Sequence, residues 1–173
     1  MTPGTATILR APAAADISVG LGRLAASGER GQVLSALGLG SCIGLVMVDA
    51  GVGVAGLAHV MLPSARGEVG ELAGKYADTA APALLSAVTA LGARRRFLTV
   101  KIAGGAHMFA QGSGAHTLAV GERNAEAVRV AILALGLRVS AADVGGNMGR
   151  TLRVDVGDGR VSVRQVGGET RPL

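Results

Sequence analysis

The chain of 173 residues contains one cysteine and three histidines. The cysteine lies in Leu37-Gly38-Leu39-Gly40-Ser41-Cys42-Ile43-Gly44, a glycine-rich turn between two apolar runs. Gly38, Gly40 and Gly44 carry no Cβ, so the backbone there can take a positive φ and a second molecule can come close. N–H groups freed in such a turn, at Gly40, Ser41 and Cys42, can converge on one point, as a developing oxyanion requires. Seventeen positions on, His59 ends the apolar stretch in Gly56-Leu57-Ala58-His59-Val60-Met61-Leu62-Pro63. A Cys and a His brought together by folding form the smallest nucleophile–base pair. Spacing alone leaves a second reading open, in which Cys42 is a small buried core residue.

Two further stretches concentrate polar groups. Gly74-Lys75-Tyr76-Ala77-Asp78-Thr79 opens a helical pattern. Asp78 or Thr79 can cap that helix, and Lys75, Tyr76, Asp78 and Thr79 are equally candidates for contact with a substrate or partner. The segment from Lys101 to Phe109 passes through Gly104-Gly105 to His107, a further contact candidate. Its spacing matches neither a P-loop nor a dinucleotide fingerprint, which favours a tight turn that permits close packing. No second Cys and no paired-His spacing support a metal site, and His107 and His116 read as surface or turn residues; no metal and no organic cofactor are expected. Asn124, just inside a second helical pattern, can hydrogen-bond a neighbouring turn, and Asp143 to Asn147 reads as a strand ending in a turn.

The elements that must position these groups follow from patterning. Ile17 to Ala25 reads as one strand, and Gln32 to Leu37 as another leading into the cysteine turn. Ile43 to Val48 and Val52 to Met61 read as a hairpin. Tyr76 to Leu91 sets Leu84, Leu85, Val88 and Leu91 at helical spacing, and Gly92 stops it. Phe97 to Ala103 is an apolar strand. Val120 to Leu135 is a second amphipathic helix with Ala125, Val128, Ile132 and Leu135 inward. Leu137 to Val144, Thr151 to Val156 and Arg160 to Val166 are three closing strands, separated by glycine turns. Pro63 to Gly74, a loop beside His59, is a candidate substrate-contact segment. Residues 1–16 read as a flexible N-terminal arm and 17–173 as a single domain.

Composition narrows the class. Hydrophobic residues make up 49% of the chain but aromatic ones only 2%, and there are 28 glycines, so the core must be small aliphatic side chains with close backbone contacts. A single cysteine excludes an intrachain disulfide scaffold and suits a reducing cytosol. No basic region followed by an apolar run and a cleavage site stands at the N-terminus. Ile43 to Pro63 has the length of a membrane span, but Asp49, Gly51, Gly53 and His59 interrupt it, so no membrane insertion is expected. The net charge is +5 and the isoelectric point about 10.6. The one basic run, Arg94-Arg95-Arg96, has only Phe97 beside it for stacking and reads as a helix end, so nucleic acid is not an expected partner.

Several of these stretches, in this order, resemble the CheD family of chemoreceptor glutamine deamidases: LGLGSCIG (37–44), LAHVMLP (57–63), GKYADTA (74–80), KIAGGAHMF (101–109), GERNAEAV (121–128), ADVGGNMGR (142–150) and VRQVGG (163–168). The resemblance implies an α/β fold, a layered α-β-β sandwich of mixed β-sheets with two main helices on one side. It implies a cytoplasmic cysteine hydrolase, related in architecture to the deamidase domains of cytotoxic necrotizing toxins. Its substrates would be glutamine side chains on the cytoplasmic helices of chemotaxis receptors. The family nucleophile falls on Cys42 and its histidine on His59.

The family often has a catalytic Thr six residues before the cysteine, where this chain has Ala36. In the related toxins the third group is a backbone carbonyl, and Ala36 keeps its carbonyl, so that carbonyl is expected to orient His59. The thiol is then expected to ionise below the midpoint of a free cysteine. The alternative is a non-catalytic or weakly catalytic adaptor that binds and stimulates a CheC-type phosphatase, a partner some family members have. The free protein is expected to be a monomer.

Overall fold

A computed structural model describes residues 15–67, 72–107 and 120–173. The expectations for the N-terminal arm, apart from Ala15 and Asp16, for the middle of the 63–74 loop and for His116 lie outside the described residues. Among the described residues, ten strands and two main helices occur in the order β1 (Ile17–Ser18), β2 (Leu24–Ser27), β3 (Val33–Leu39), β4 (Ile43–Asp49), β5 (Val54–Val60), α1 (Ala77–Ala90), β6 (Thr99–Gly104), α2 (Val120–Ala134), β7 (Val139–Val144), β8 (Arg150–Asp155), β9 (Val161–Gln165) and β10 (Thr170–Pro172). The strands form two five-stranded mixed sheets, ordered β1-β3-β8-β9-β10 and β2-β5-β4-β6-β7. Among the described residues no helix is long and apolar enough to cross a membrane.

The second sheet is the middle layer. On β4, Ile43, Leu45 and Met47 pack towards the helices, while Val46 and Val48 pack towards the first sheet. A strand covered on both faces needs apolar residues on both, which explains the unbroken run from Ile43 to Val48. On β5, Val54, Ala58 and Val60 share the helix side and Ala55 and Leu57 the inter-sheet side. Alternation therefore sends His59 between the sheets. The helices dock through small residues: α1 buries Ala77, Ala80, Ala81, Leu84, Leu85 and Val88. A Cβ on Gly56 would stand 2.6 Å from Val88 Cγ1, so the glycine sets how closely α1 approaches β5. The result is the expected α-β-β sandwich with two helices on one side.

Three details differ from the sequence expectation. Ile17 to Ala25 is not one strand. β1 pairs with β3 in the first sheet and β2 with β5 in the second, and the chain crosses between layers through Gly20–Arg23, with Gly22 at φ +69°. The closing strands also divide: β7 runs parallel to β6 in the middle sheet, β8 and β9 join the first sheet, and a short β10 extends it. The basic run is exposed beyond the end of α1, as a helix end should be, but it also makes tertiary bonds. Arg94 grips the buried Asp49 carboxylate through its backbone N–H, Nε and Nη2, each at 2.9 Å, and Arg95 donates to the Leu135 carbonyl just beyond α2.

Candidate active site

Cys42 and His59 lie on the same face at one end of the β4–β5 pair. Gly44 is the cross-strand partner of His59, and Cys42 lies two residues before Gly44. Directly opposed residues share a face, and the diagonal position is within reach of an aromatic side chain. Cys42, half-buried, packs against the inter-sheet cluster, so both side chains belong to the inter-sheet side. Gly44 between them is required by the layer above: its Cβ would lie 2.6 Å from Leu152 Cδ2 and 3.0 Å from Leu39 Cδ1.

The cysteine turn is held by its carbonyls. Gly40 O accepts from the Ala106 N–H at 2.7 Å, and Cys42 O from the Gly105 N–H at 2.8 Å. Ser41 O accepts from Asn124 Nδ2 at 2.9 Å. The N–H groups of Gly40, Ser41 and Cys42 donate to nothing among the described residues. A turn whose carbonyls are all captured on the scaffold side and whose N–H groups are open is a frame for an anion. Gly104 and Gly105 serve this frame by close packing, as their spacing suggests. A Cβ on Gly104 would lie 2.1 Å from Cys42 O, and one on Gly105 would lie 2.9 Å from Gly121 O.

His59 is buried at 2% exposure. Its Nδ1 lies 3.2 Å from the Val19 carbonyl. A carbonyl only accepts, so Nδ1 carries the proton and the neutral ring presents an unprotonated Nε2. Nε2 has no hydrogen-bond partner among the described residues, the Cys42 thiol included. Catalytic hydrogen bonds commonly tighten only when substrate binds. The 19–23 crossing wraps the residue: Val19 donates its N–H to Ser35 O on the β1–β3 side, Gly22 donates to His59 O at 3.0 Å, and the His59 N–H donates to Arg23 O at 2.9 Å. The family resemblance would give the orienting carbonyl to Ala36. Ala36 is instead fully buried in β3, paired with Leu152, and the imidazole meets Val19. The signal that could have found Val19 is the pair Gly20 and Gly22, which breaks the strand pattern there.

Electrostatics also depart from expectation. Burial pushes the Cys42 thiol up from its ordinary value. Burial pulls His59 down, with the Val19 hydrogen bond opposing part of that. Both shifts favour the neutral forms, thiol and imidazole, because each charged form loses hydration that the site does not replace.

The remaining candidates lie around this centre in different roles. Lys75 O accepts the N–H groups of Met61 and Leu62, which fixes the exit of β5, and Lys75 Nζ stands 4.8 Å from the centroid of the buried Tyr76 ring. Asp78 faces the 64–66 turn, accepting from Ser64 Oγ at 2.6 Å and from the Ala65 N–H. Thr79 Oγ1 donates back to Ala73 O and Tyr76 O. Neither Asp78 nor Thr79 caps α1, whose N-cap position is Tyr76 without a side-chain cap. His107 donates its N–H to Gly146 O, and its ring meets Glu122 on α2 at 3.2 Å. Asn124, which the sequence offers only as a partner for a neighbouring turn, joins the cysteine turn to Met61 O at the end of β5. Among the described residues no group of three or more His, Cys, Asp or Glu is placed to hold a metal ion.

Residues 61–165 match the family described as CheD chemotactic sensory transduction. The chain is 46% identical over 127 residues to a protein of Methanococcus maripaludis (strain C5) named probable chemoreceptor glutamine deamidase CheD, covering 73% of this chain and 81% of that one. Proteins of the same name from Desulfitobacterium hafniense (strain DCB-2) and Geobacillus kaustophilus are 43% and 45% identical over 150 and 146 residues, covering 87% and 82% of this chain and 93% and 88% of theirs. With relatives this similar across most of their length, the chain belongs to the CheD family.

Proposed function

We propose that this protein is a chemoreceptor glutamine deamidase that works through Cys42 and His59. Cys42 passes its proton to His59 Nε2 as its sulfur attacks the carboxamide carbon of a glutamine side chain. The carbonyl oxygen becomes an oxyanion against the open N–H groups of Gly40, Ser41 and Cys42. The imidazolium gives its proton to the departing nitrogen, ammonia leaves, and a thioester remains. Water, losing a proton to the same Nε2, adds to the thioester. The intermediate collapses to glutamate, and the proton returns to sulfur. Because burial favours the neutral form of each group, the thiolate forms during attack rather than standing as an ion pair beforehand.

The observation that carries this reading is the cysteine turn, with three carbonyls captured and three N–H groups open beside a histidine whose tautomer is set by Val19. The names of the relatives support the substrate class, glutamine on chemoreceptors, and with it a cytoplasmic site of action. The +5 charge favours encounter with an acidic helical bundle. The adaptor alternative, docking on a CheC-type phosphatase, draws its support from the absence of a hydroxyl at position 36. Val19 fills that place with a carbonyl, so the motive no longer separates the two. The test is incubation with a purified chemoreceptor cytoplasmic fragment and mass spectrometry for amide-to-carboxylate conversion. Conversion by wild type and none by Cys42→Ala is expected; equal conversion by both would sink the mechanism.

A further inference from the structure

Asn124 is an asparagine with no exposure on a helix face that otherwise buries Gly121, Ala125, Val128 and Ile132. Its Nδ2 donates to two main-chain carbonyls, Ser41 O at 2.9 Å and Met61 O at 2.8 Å. Its Oδ1 has no partner among the described residues. A half-satisfied buried amide is costly, and alanine or leucine would suit the helix better if packing were the only demand. What the amide secures is a geometry. It joins the turn that carries Cys42 to the end of the strand that carries His59.

In a planar trans peptide the N–H lies opposite the C=O. Capture of the Ser41 carbonyl by Asn124 therefore turns the Cys42 N–H away from α2. Ala106 does the same for the Ser41 N–H by holding Gly40 O. Of the three groups that hold the carbonyls of residues 40–42, two are backbone N–H groups and one is a side chain, Asn124.

We propose that Asn124 is a positioning residue for the reaction: its amide fixes the Ser41–Cys42 peptide plane so that the Cys42 N–H is presented to the oxyanion, and ties that plane to the His59 strand through Met61. This rests on the deamidase reading above.

The test compares two reactions of Cys42 in the full-length chain. Deamidation of a chemoreceptor cytoplasmic fragment passes through an oxyanion. Alkylation by iodoacetamide displaces iodide at a saturated carbon and forms none, and with one cysteine in the chain it reads that thiol alone. Asn124→Ala and Asn124→Leu are expected to lower kcat by roughly 100-fold, the lower end of the range for losing one oxyanion donor. KM and the alkylation rate should stay within about threefold of wild type, since binding and thiol reactivity do not use that donor. Asn124→Leu keeps the helix and most of the volume, so it carries the test if the alanine variant folds poorly. A kcat near that of wild type in a folded variant overturns the proposal, and so does a parallel fall in kcat and alkylation, which would mean general disorder of the turn. Wild type that leaves the glutamines intact overturns the deamidase reading and this inference with it; active wild type with unaffected variants overturns this inference alone.

Discussion

Gly104→Ala should disable the site without touching a reacting side chain. Gly104 pairs with Ile43 across the β4–β6 ladder at φ +121°. An ideal Cβ there would lie 2.1 Å from Cys42 O, 3.1 Å from Cys42 C and 3.3 Å from Ile43 Cα, whereas real Cβ contacts do not fall below 3.0 Å. The two backbones must part by the difference, 3.0 minus 2.1, or 0.9 Å. All three nearest atoms are main chain, so no rotamer change absorbs the collision. The displaced peptide is the one that follows the nucleophile, and misplacement of reacting groups by about 1 Å costs on the order of 100-fold in rate. The strained φ adds about 1–3 kcal/mol of lost stability. Gly38→Ala is the control. It also has positive φ, +65°, in the same stretch, but nothing lies within 4 Å of its Cβ. It should lose only about 1–2 kcal/mol of stability and keep kcat/KM within about threefold. The assay is kcat/KM on a chemoreceptor fragment, run well below each variant's thermal midpoint. Near-wild-type kcat/KM for Gly104→Ala, or an equal loss in Gly38→Ala, would refute the argument that the carbonyl frame sets the nucleophile.

Three other outcomes are expected. His59→Ala should lose at least about 100-fold in kcat, the usual scale for removing a general base, while far-UV circular dichroism is unchanged; a smaller loss would remove His59 from the mechanism. The iodoacetamide rate at Cys42 should rise with a midpoint above that of free cysteine measured in parallel, since burial raises the thiol, and the acid limb of kcat/KM should fall below an ordinary imidazole, since burial lowers His59; a thiol midpoint below free cysteine would restore the standing ion pair. Ala36→Thr should change kcat/KM by less than about tenfold, or roughly 1.4 kcal/mol, because Val19 already holds Nδ1; it should also destabilise by about 1–3 kcal/mol, as added atoms in a fully buried site do, and a gain above tenfold would return the orienting role to position 36.

The same burial bears on stability. His59 has a lower pKa folded than unfolded, so below about 6.5, the ordinary imidazole value, the unfolded chain binds the proton first. Stability contributed by keeping this ring neutral is therefore present above that pH and lost as pH falls towards the folded value. Asp49, held far below the usual carboxylate range chiefly by its hydrogen bonds with Arg94, adds a second loss at lower pH, as pH falls below its unfolded value.

Local pattern carried much of this protein. The apolar run from Ile43 to Val48, bounded by glycine turns, marked one strand of a hairpin, because a run that short and that apolar suits a buried strand. The spacing of Leu84, Leu85 and Val88, and of Ala125, Val128 and Ile132, required two helices with one buried stripe each. Glycines on both sides of the cysteine required an open turn. Tertiary structure decided the rest. Every residue has a carbonyl, so no residue type marks Val19, forty positions from His59, as the imidazole's acceptor; the crossing of the chain from one sheet to the other did that. Asn124 reaches Ser41 across eighty-three positions, a contact that helix packing alone creates. The direction in which the thiol titrates was likewise not in the residue types, since a Cys–His pair supports a thiolate where water or charge stabilises it, and here burial between two sheets favours the neutral forms.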